Sequence, residues 1–191
     1  RNLVDSSHTT KLIRIGISGL DGKYNAGDHI GILPVNATEN VEKLFQIFQI
    51  SDPDETFLID GPKDEIPSFL SGLQSYRKLL HFDIDISNPP NPDALLHWSN
   101  FASDEEEKSE LAELGMGGEE YRDWVSGAAP SHWQVFELFK SLKLPFLEFI
   151  KTAKKLQPRY YSVSSSPLEH PNDVHLTVAK VIFSYVGVRH Q

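Results

Sequence analysis

Two stretches with the periodicity of β-strands stand at opposite ends of this chain, and a long stretch with helical periodicity separates them. At the amino end, apolar residues at 12–17 and 30–33 flank turn-forming residues at 19–22, a pattern that predicts a β-hairpin. Near the carboxyl end, residues 160–163 and 174–179 repeat the strand pattern. Because unpaired strand edges are unfavourable, the two β segments should meet in space. The order therefore predicts a β domain interrupted by an insertion.

The intervening stretch carries apolar residues at helical spacing. Thr38 suits the N-cap of a first helix over 39–50. Residues 52–68 mix Pro, Gly, Asp and Glu and are interpreted as an irregular connection, after which Leu73 begins a short helical stripe. Further helices are predicted at 92–102, 104–114, 119–126, 131–141 and 145–155.

Charge is distributed unevenly along the chain, which has a formal net charge of −9. Residues 51–130 carry 5 basic and 18 acidic side chains, whereas residues 131–191 carry 8 and 4. The acidic total argues against a nucleic-acid partner. No apolar run approaches the roughly 18 residues of a membrane-spanning helix, so no direct membrane span is predicted. Residues 1–10 lack the apolar stretch of a signal peptide, so a cytoplasmic location is expected.

The absence of cysteine excludes disulfides, thiolate nucleophiles and cysteine-ligated metal sites. The 8 histidines are scattered without a metal-ligand spacing, so no metal site is predicted. The chain begins with Arg1 and not with Met, which suggests a piece of a longer protein.

The most informative stretch is Pro-Arg-Tyr-Tyr-Ser-Val-Ser-Ser-Ser at 158–166. In an extended strand, alternation puts Arg159 and Tyr161 on one side of the ribbon, and Ser162 adds a hydroxyl next to them. A bidentate phosphate donor beside an aromatic plane suits a planar heterocycle that carries a pyrophosphate. The alternative, from composition alone, is an aromatic strand with a surface arginine.

Several motifs, in their order along the chain, resemble one family. Arg159–Ser162 resembles the Arg-x-Tyr-Ser flavin motif of the ferredoxin-NADP reductase superfamily. Residues 24–36 resemble a run found early in the FAD domain of diflavin reductases, and residues 83–90 resemble their connecting-domain signature. Residues 156–165 and 175–179 are most similar to the reductase part of nitric oxide synthases.

This resemblance implies specific roles in binding FAD. Arg159 would bind the pyrophosphate, Tyr161 would pack against the isoalloxazine, and Ser162 would hydrogen-bond near the N5 atom and act in catalysis. His29, in the Gly-Asp-His turn, would also contact FAD; the alternative is a histidine that braces the turn. The remaining implied FAD contacts are Tyr160, Thr177, Val178, Ala179 and Phe183.

The resemblance also implies a fold and a redox context. The fold is α+β: an antiparallel FAD-binding β-barrel over 1–50 and 156–191, incomplete at its carboxyl end, interrupted by an all-α connecting insertion over 51–155. NADPH, FMN and haem would be bound by other domains of the parent protein, and calmodulin could act through that parent. At the amino end His8 stands where relatives have an NADP-binding Arg, so that contact would be weak.

Under this interpretation, electrons pass from NADPH through FAD to FMN and on to haem, in an enzyme of the nitric oxide synthase type. The family-level alternatives are a microsomal haemoprotein reductase and a sulfite reductase flavoprotein. A third interpretation, from a different class, is a non-catalytic interaction or spacer module, because no site for the hydride donor is complete within these residues.

Overall fold

The computed structural model describes residues 9–19, 24–62 and 66–179. It is a mixed α+β structure, as the sequence predicts. Backbone contacts divide it into two units, a β unit made of the described residues up to 34 together with 158–179, and a helical unit spanning 35–157. No helix in the described ranges combines the length and apolar character that crossing a bilayer requires.

Short strands and helices alternate with turns along the chain. The strands are β1 (Thr10–Gly16), β2 (His29–Ile32), β3 (Thr56–Ile59), β4 (Gly72–Ser75), β5 (Arg159–Ser162) and β6 (Asp173–Ala179). The helices are α1 (Thr38–Ile47), α2 (Tyr76–Lys78), which continues into a π-helical turn over Leu79–Asp83, α3 (Pro92–Ser99), α4 (Glu105–Gly115), α5 (Glu119–Ala128), α6 (His132–Leu138) and α7 (Phe146–Lys151).

Within the β unit, the strands from the amino end pair with those from the carboxyl end. β1 is antiparallel to β6 over its whole length, and β2 is antiparallel to β5. An isolated bridge pairs Val163, the residue after β5, with Leu176 of β6. The prediction of a hairpin between the first two strands is wrong, because each of them pairs with a strand from the far end. An isolated two-stranded hairpin is only marginally stable, so turn residues at 19–22 do not by themselves select that pairing.

The described strands form two-stranded antiparallel sheets. The third sheet, β3 with β4, lies in the helical unit, so the prediction of an all-α insertion is wrong. The predicted irregular connection contains β3, and the stripe from Leu73 begins as strand β4. Leu58 and Leu73 lie opposite each other and are both about 70% exposed, which breaks the alternation that would have indicated strands.

The helical unit is built around a buried apolar core. Its largest enclosed side chains are Trp98, Phe139 and Phe149. Helix α3 begins at a side-chain cap, since Asn91 accepts a hydrogen bond from Ala94 N at 2.8 Å directly before Pro92. The five helices predicted between 92 and 155 are confirmed, with shifted ends.

Helix α1 packs into this same core. Its buried face consists of Val41, Leu44 and Phe45, which belong to the hydrophobic cluster of the helical unit. Asn36, just before α1, donates side-chain hydrogen bonds to Leu80 O and Ile84 O at 2.9 and 2.7 Å. The sequence-based division grouped residues up to 50 with the first β segment. An amphipathic helix packs where its apolar face can be buried, and the apolar face of α1 is buried in the core of the helical unit.

Candidate functional site

Strand β5 holds the Arg-Tyr-Tyr-Ser motif in extended conformation. Alternation along the strand puts Arg159 and Tyr161 on one face and Tyr160 and Ser162 on the other. Tyr161 is half-buried and lies opposite Ile30 of β2, whereas the other three side chains are exposed. Most side chains of the motif are therefore accessible at the surface of the β unit and are not enclosed in a core.

The Arg159 side chain is available to a ligand. It is exposed, and among the described residues its guanidinium forms no ion pair or side-chain hydrogen bond. Its partner across the sheet is the apolar Ile32, and the following residues of β5 are uncharged. An anion that met this guanidinium would displace no existing partner in the described part of the chain.

His29 and Ser162 meet across the β2–β5 pair. They are opposite each other in the register, and Ser162 Oγ lies 3.1 Å from His29 Nε2. If Nε2 accepts this bond, the serine hydroxyl points at the histidine; if Nε2 donates it, the hydroxyl proton is free for another acceptor. The two side chains thus form one exposed polar group from residues 133 positions apart.

A braced turn sets the position of His29. The Asp28 carboxylate accepts a hydrogen bond from Asn25 N at 2.7 Å, and Asp28 N donates to Asn25 O at 3.1 Å. Gly27 has a φ of +92°, which favours glycine. Val163 N donates to Asp28 O at 2.8 Å and extends the pairing with the residues after β5. The Gly-Asp-His run is therefore a turn that delivers His29 to the start of β2.

Tyr160 packs across a glycine on the same face as His29 and Ser162. A Cβ on Gly31 would lie 3.1 Å from Cε1 of the Tyr160 ring, so the absence of a side chain there lets the ring lie against the backbone of β2. The ring is still 71% exposed. Its outer face is open to contact.

Strand β6 runs next to the residues that follow the motif. Thr177 Oγ1 donates to Ser164 Oγ at 3.1 Å, and Ser164 N donates to His175 O at 2.8 Å. Val178 is half-buried, and Ala179 is exposed at the end of the strand. The structure thus brings the predicted residues of β2, β5 and β6 into one unit. The remaining two, His8 and Phe183, lie outside the described residues.

Tyr24 is a structural centre of this unit that the sequence-based site assignment missed. Its hydroxyl lies 2.9 Å from Ser165 Oγ and 2.9 and 3.1 Å from the carbonyl oxygens of His170 and Asp173. It therefore ties the segment before β2 to the turn before β6. A signal was present in the sequence, since Tyr24 opens the same motif run that contains His29.

A comparison with known families agrees with these motifs. The model of the family described as "FAD binding domain" matches residues 1–187 of this chain. The chain belongs to this FAD-binding domain family. The resemblance that the motifs predicted is thereby confirmed.

Two relatives of this FAD-binding domain are nitric oxide synthases. Nitric oxide synthase 3 of Sus scrofa is 35% identical, over 93% of this chain and 16% of the relative. A nitric oxide synthase of Anopheles stephensi is 31% identical, over 93% of this chain and 15% of the relative. The chain therefore spans about one sixth of the length of these relatives.

Proposed function

We propose that this chain binds FAD along β2, β5 and β6 and is the FAD-binding part of an NADPH-dependent diflavin reductase of the nitric oxide synthase type. Family membership and the names of the two relatives support the proposal. The observation that carries it is strand β5, where the guanidinium of Arg159, which has no ion-pair partner among the described residues, shares a face with Tyr161 and Ser162 follows directly. A cation, an aromatic ring and a hydroxyl match the pyrophosphate, ring system and polar edge of FAD.

Arg159 binds the pyrophosphate in this proposal. A guanidinium presents parallel N–H groups in a planar fork that fits two phosphate oxygens. Because the side chain is exposed and has no ion-pair partner among the described residues, a phosphate meets it without breaking an existing interaction.

Tyr161 and Ser162 orient the isoalloxazine. The half-buried Tyr161 ring offers a fixed aromatic surface for stacking. Ser162, the next residue of the strand, contributes the hydroxyl that we assign to the polar edge of the same ring system. His29 Nε2, 3.1 Å from Ser162 Oγ, holds that hydroxyl in position for a hydrogen bond near N5.

The other predicted contacts complete the binding surface. Tyr160 offers its exposed ring, and the strand end at Thr177, Val178 and Ala179 offers backbone groups as well as side chains. Outside the described residues, Phe183 is proposed to stack on the adenine side and His8 to make a weak contact with NADP.

The proposed fold is an antiparallel FAD-binding barrel interrupted by an insertion. The antiparallel pairs β1–β6 and β2–β5 support it, because both join the two ends of the chain. In sequence terms, residues 1–50 and 156–191 are proposed as the barrel domain and residues 51–155 as the connecting insertion, with the exception that α1 packs into the core of the helical unit.

Bound to these residues, FAD would supply the chemistry of accepting hydride from NADPH and passing electrons singly to FMN. The residues of this chain bind and orient that cofactor, while the FMN-binding, NADPH-binding and haem domains of a parent protein are its partners. In the whole cytoplasmic enzyme, with calmodulin acting through the parent, arginine is converted to citrulline and nitric oxide. The names of the relatives favour this enzyme over a microsomal haemoprotein reductase or a sulfite reductase flavoprotein.

Titration of the purified 191-residue chain with FAD, followed by quenching of flavin fluorescence, tests the proposal. Arg159→Ala removes charge-assisted hydrogen bonds, each contributing about 1.5–3 kcal/mol, so the Kd for FAD should rise about tenfold to a hundredfold. Arg122→Ala, at an exposed arginine of α5, is the matched control and should leave the Kd unchanged. Glu106→Ala in α4 should likewise have no effect.

Two results would contradict the proposal. If the wild-type chain neither quenches nor retains flavin, the interpretation as a spacer module gains support. If Arg159→Ala and Arg122→Ala change the Kd equally, β5 does not carry the pyrophosphate site.

A further inference from the structure

A cluster of potential metal ligands lies at the turn before β6, apart from the residues proposed to bind FAD. Asp173 Oδ2 is 2.5 Å from His175 Nε2 and 3.8 Å from His170 Nδ1. The two imidazole rings are 4.1 Å apart between centroids. The three ligand atoms all lie within 4.8 Å of one another. Two imidazoles thus present ring nitrogens to the same carboxylate oxygen.

The backbone around this cluster is held by hydrogen bonds. The hydroxyl of Tyr24 is within 3.1 Å of the carbonyl oxygens of His170 and Asp173, and Ser165 Oγ accepts from His175 N at 3.0 Å. Asp173 and His175 are two residues apart in β6, so their side chains lie on the same face of the strand. The fold therefore positions the three ligands in advance.

We propose that His170, Asp173 and His175 form a binding site for a divalent transition-metal ion, for which Zn²⁺ is the best fit. Imidazole nitrogens favour zinc and its neighbours over magnesium or calcium. Two histidines and one carboxylate are a ligand set of zinc sites in which a water molecule fills the fourth position.

The ligand atoms lie within 4.8 Å of one another, so side-chain movements of about 1.5 Å or less separate the present geometry from coordination. A tetrahedral zinc ion about 2.0–2.1 Å from each ligand atom holds neighbouring ligand atoms about 3.3 Å apart. The Asp173–His175 contact would open by less than about 1 Å, and His170 would approach by about half an ångström. The side chains of His170 and Asp173 are 36% and 34% exposed, which leaves room for both movements and for a water ligand.

A nearby cation offers a way to tune the site. Arg14 of β1 lies directly opposite His175 in the register, so the two side chains occupy the same face of the sheet. Among the described residues, Arg14 forms no ion pair with Asp173. Its charge repels a bound metal ion, and removing that charge should increase metal affinity.

The experiment uses the tag-free 191-residue chain after treatment with a chelator. Co²⁺ is titrated in while its visible absorption is recorded, and Zn²⁺ is then titrated by calorimetry. We expect one ion per chain, a tetrahedral Co²⁺ spectrum and displacement of Co²⁺ by Zn²⁺. His170→Asn should lower the affinity by more than tenfold, since even outer-shell substitutions weaken metal sites by about tenfold to a hundredfold. Arg14→Gln should raise it.

A second histidine–carboxylate pair supplies the matched control. His97 Nε2 lies 2.9 Å from Glu148 Oε2 in the helical unit. His97→Asn should leave metal affinity unchanged if the cluster at β6 is the site. Because His170 is partly exposed on a turn, His170→Asn should also keep the thermal midpoint of the metal-free chain, which excludes unfolding as the cause.

The proposal is overturned if the chain binds no stoichiometric Co²⁺ or Zn²⁺, if His170→Asn binds as tightly as the wild type, or if His97→Asn weakens binding as much as His170→Asn. The FAD titration is a separate measurement, so the outcome for the metal site is independent of the proposed flavin function.

Discussion

The charge state of His132 should control the acid stability of this chain. His132 is the first residue of α6, and its side chain is enclosed between the rings of Trp98 and Phe149, each with its centroid 5.7 Å from the imidazole. Nδ1 donates a hydrogen bond to Asn88 O at 2.9 Å. Burial lowers the pKa of His132 from 6.5 to about 4, although the nearby charge of Asp85 opposes the shift.

The magnitude follows from the difference between the folded and unfolded pKa values. In the unfolded chain His132 takes up a proton near its ordinary pKa of 6.5, whereas in the folded chain it does so only near pH 4. Between these values the unfolded state binds more protons, so the free energy of unfolding falls as the pH falls. At about 1.4 kcal/mol per pH unit, the folded state loses about 3 kcal/mol between pH 6.5 and 4. This contribution becomes constant well above pH 6.5, where His132 is neutral in both states.

His132→Asn removes the titration and keeps a donor, since the amide nitrogen takes the place of Nδ1 towards Asn88 O. Urea unfolding of both proteins at pH steps from 7 to 4, followed by tryptophan fluorescence, gives the two free energies of unfolding. As the pH falls, the free energy of unfolding of the wild type should decrease by about 3 kcal/mol more than that of the variant. Phe139→Leu, a core substitution without a titratable group, should show a constant difference.

A difference between the wild type and His132→Asn that stays constant from pH 6.5 to 4 would refute the reasoning. It would mean that His132 takes up its proton equally in the folded and unfolded chains. If the difference in free energy of unfolding between the wild type and Phe139→Leu changes with pH by the same amount, the effect comes from a general loss of core stability at low pH and not from His132.

Two further predictions concern the helical unit and are measured by urea unfolding. A Cβ on Gly115 would lie 2.6 Å from Leu96 N, so Gly115→Ala should destabilise by about 1–3 kcal/mol. A Cβ on Gly127 in α5 would have no described atom within 4 Å, so Gly127→Ala should instead stabilise by about 0.5–1 kcal/mol. The opposite order of the two effects would contradict this account. The buried Glu107 carboxylate accepts from Ser141 N at 2.8 Å, so Glu107→Gln should cost about 1–3 kcal/mol, and an unchanged midpoint would exclude that role.

Helix starts were predictable because their causes are consecutive residues. Asp104 accepts hydrogen bonds from Glu106 N and Glu107 N at 3.1 and 3.0 Å, a cap that is visible in the sequence. The predicted end of α6 at 141 was too late, because the helix stops at Leu138. The backbone amides that follow are hydrogen-bonded to the carboxylate of Glu107, on another helix. No local pattern indicates a partner more than thirty residues away.

In the β unit too, features set by adjacent residues were predictable and features set by distant residues were not. Alternation along β5 follows from adjacent residues, so the shared face of Arg159 and Tyr161 could be predicted. That His29 would lie opposite Ser162 could not be predicted from alternation, because nothing local to either strand selects the other. The predicted hairpin failed for this reason, since turn residues favour a bend but do not choose its partner.

The sequence by itself determined roughly where the helices between 92 and 155 begin, the alternation of β5, the motif residues and the family, because each depends on the types of nearby residues. The predicted N-cap at Thr38 is wrong, because Thr38 is the first residue of α1 and the N-cap, Ala37, has no side-chain hydrogen bond. Only the tertiary structure decided which strands pair, where α1 packs and how the cluster of His170, Asp173 and His175 assembles. Their spacing alone indicated no metal site. The hydroxyl of Tyr24, from the other end of the chain, holds the carbonyls of His170 and Asp173. Contacts between distant residues arise from burial and hydrogen bonding in the folded chain, which local patterns do not encode.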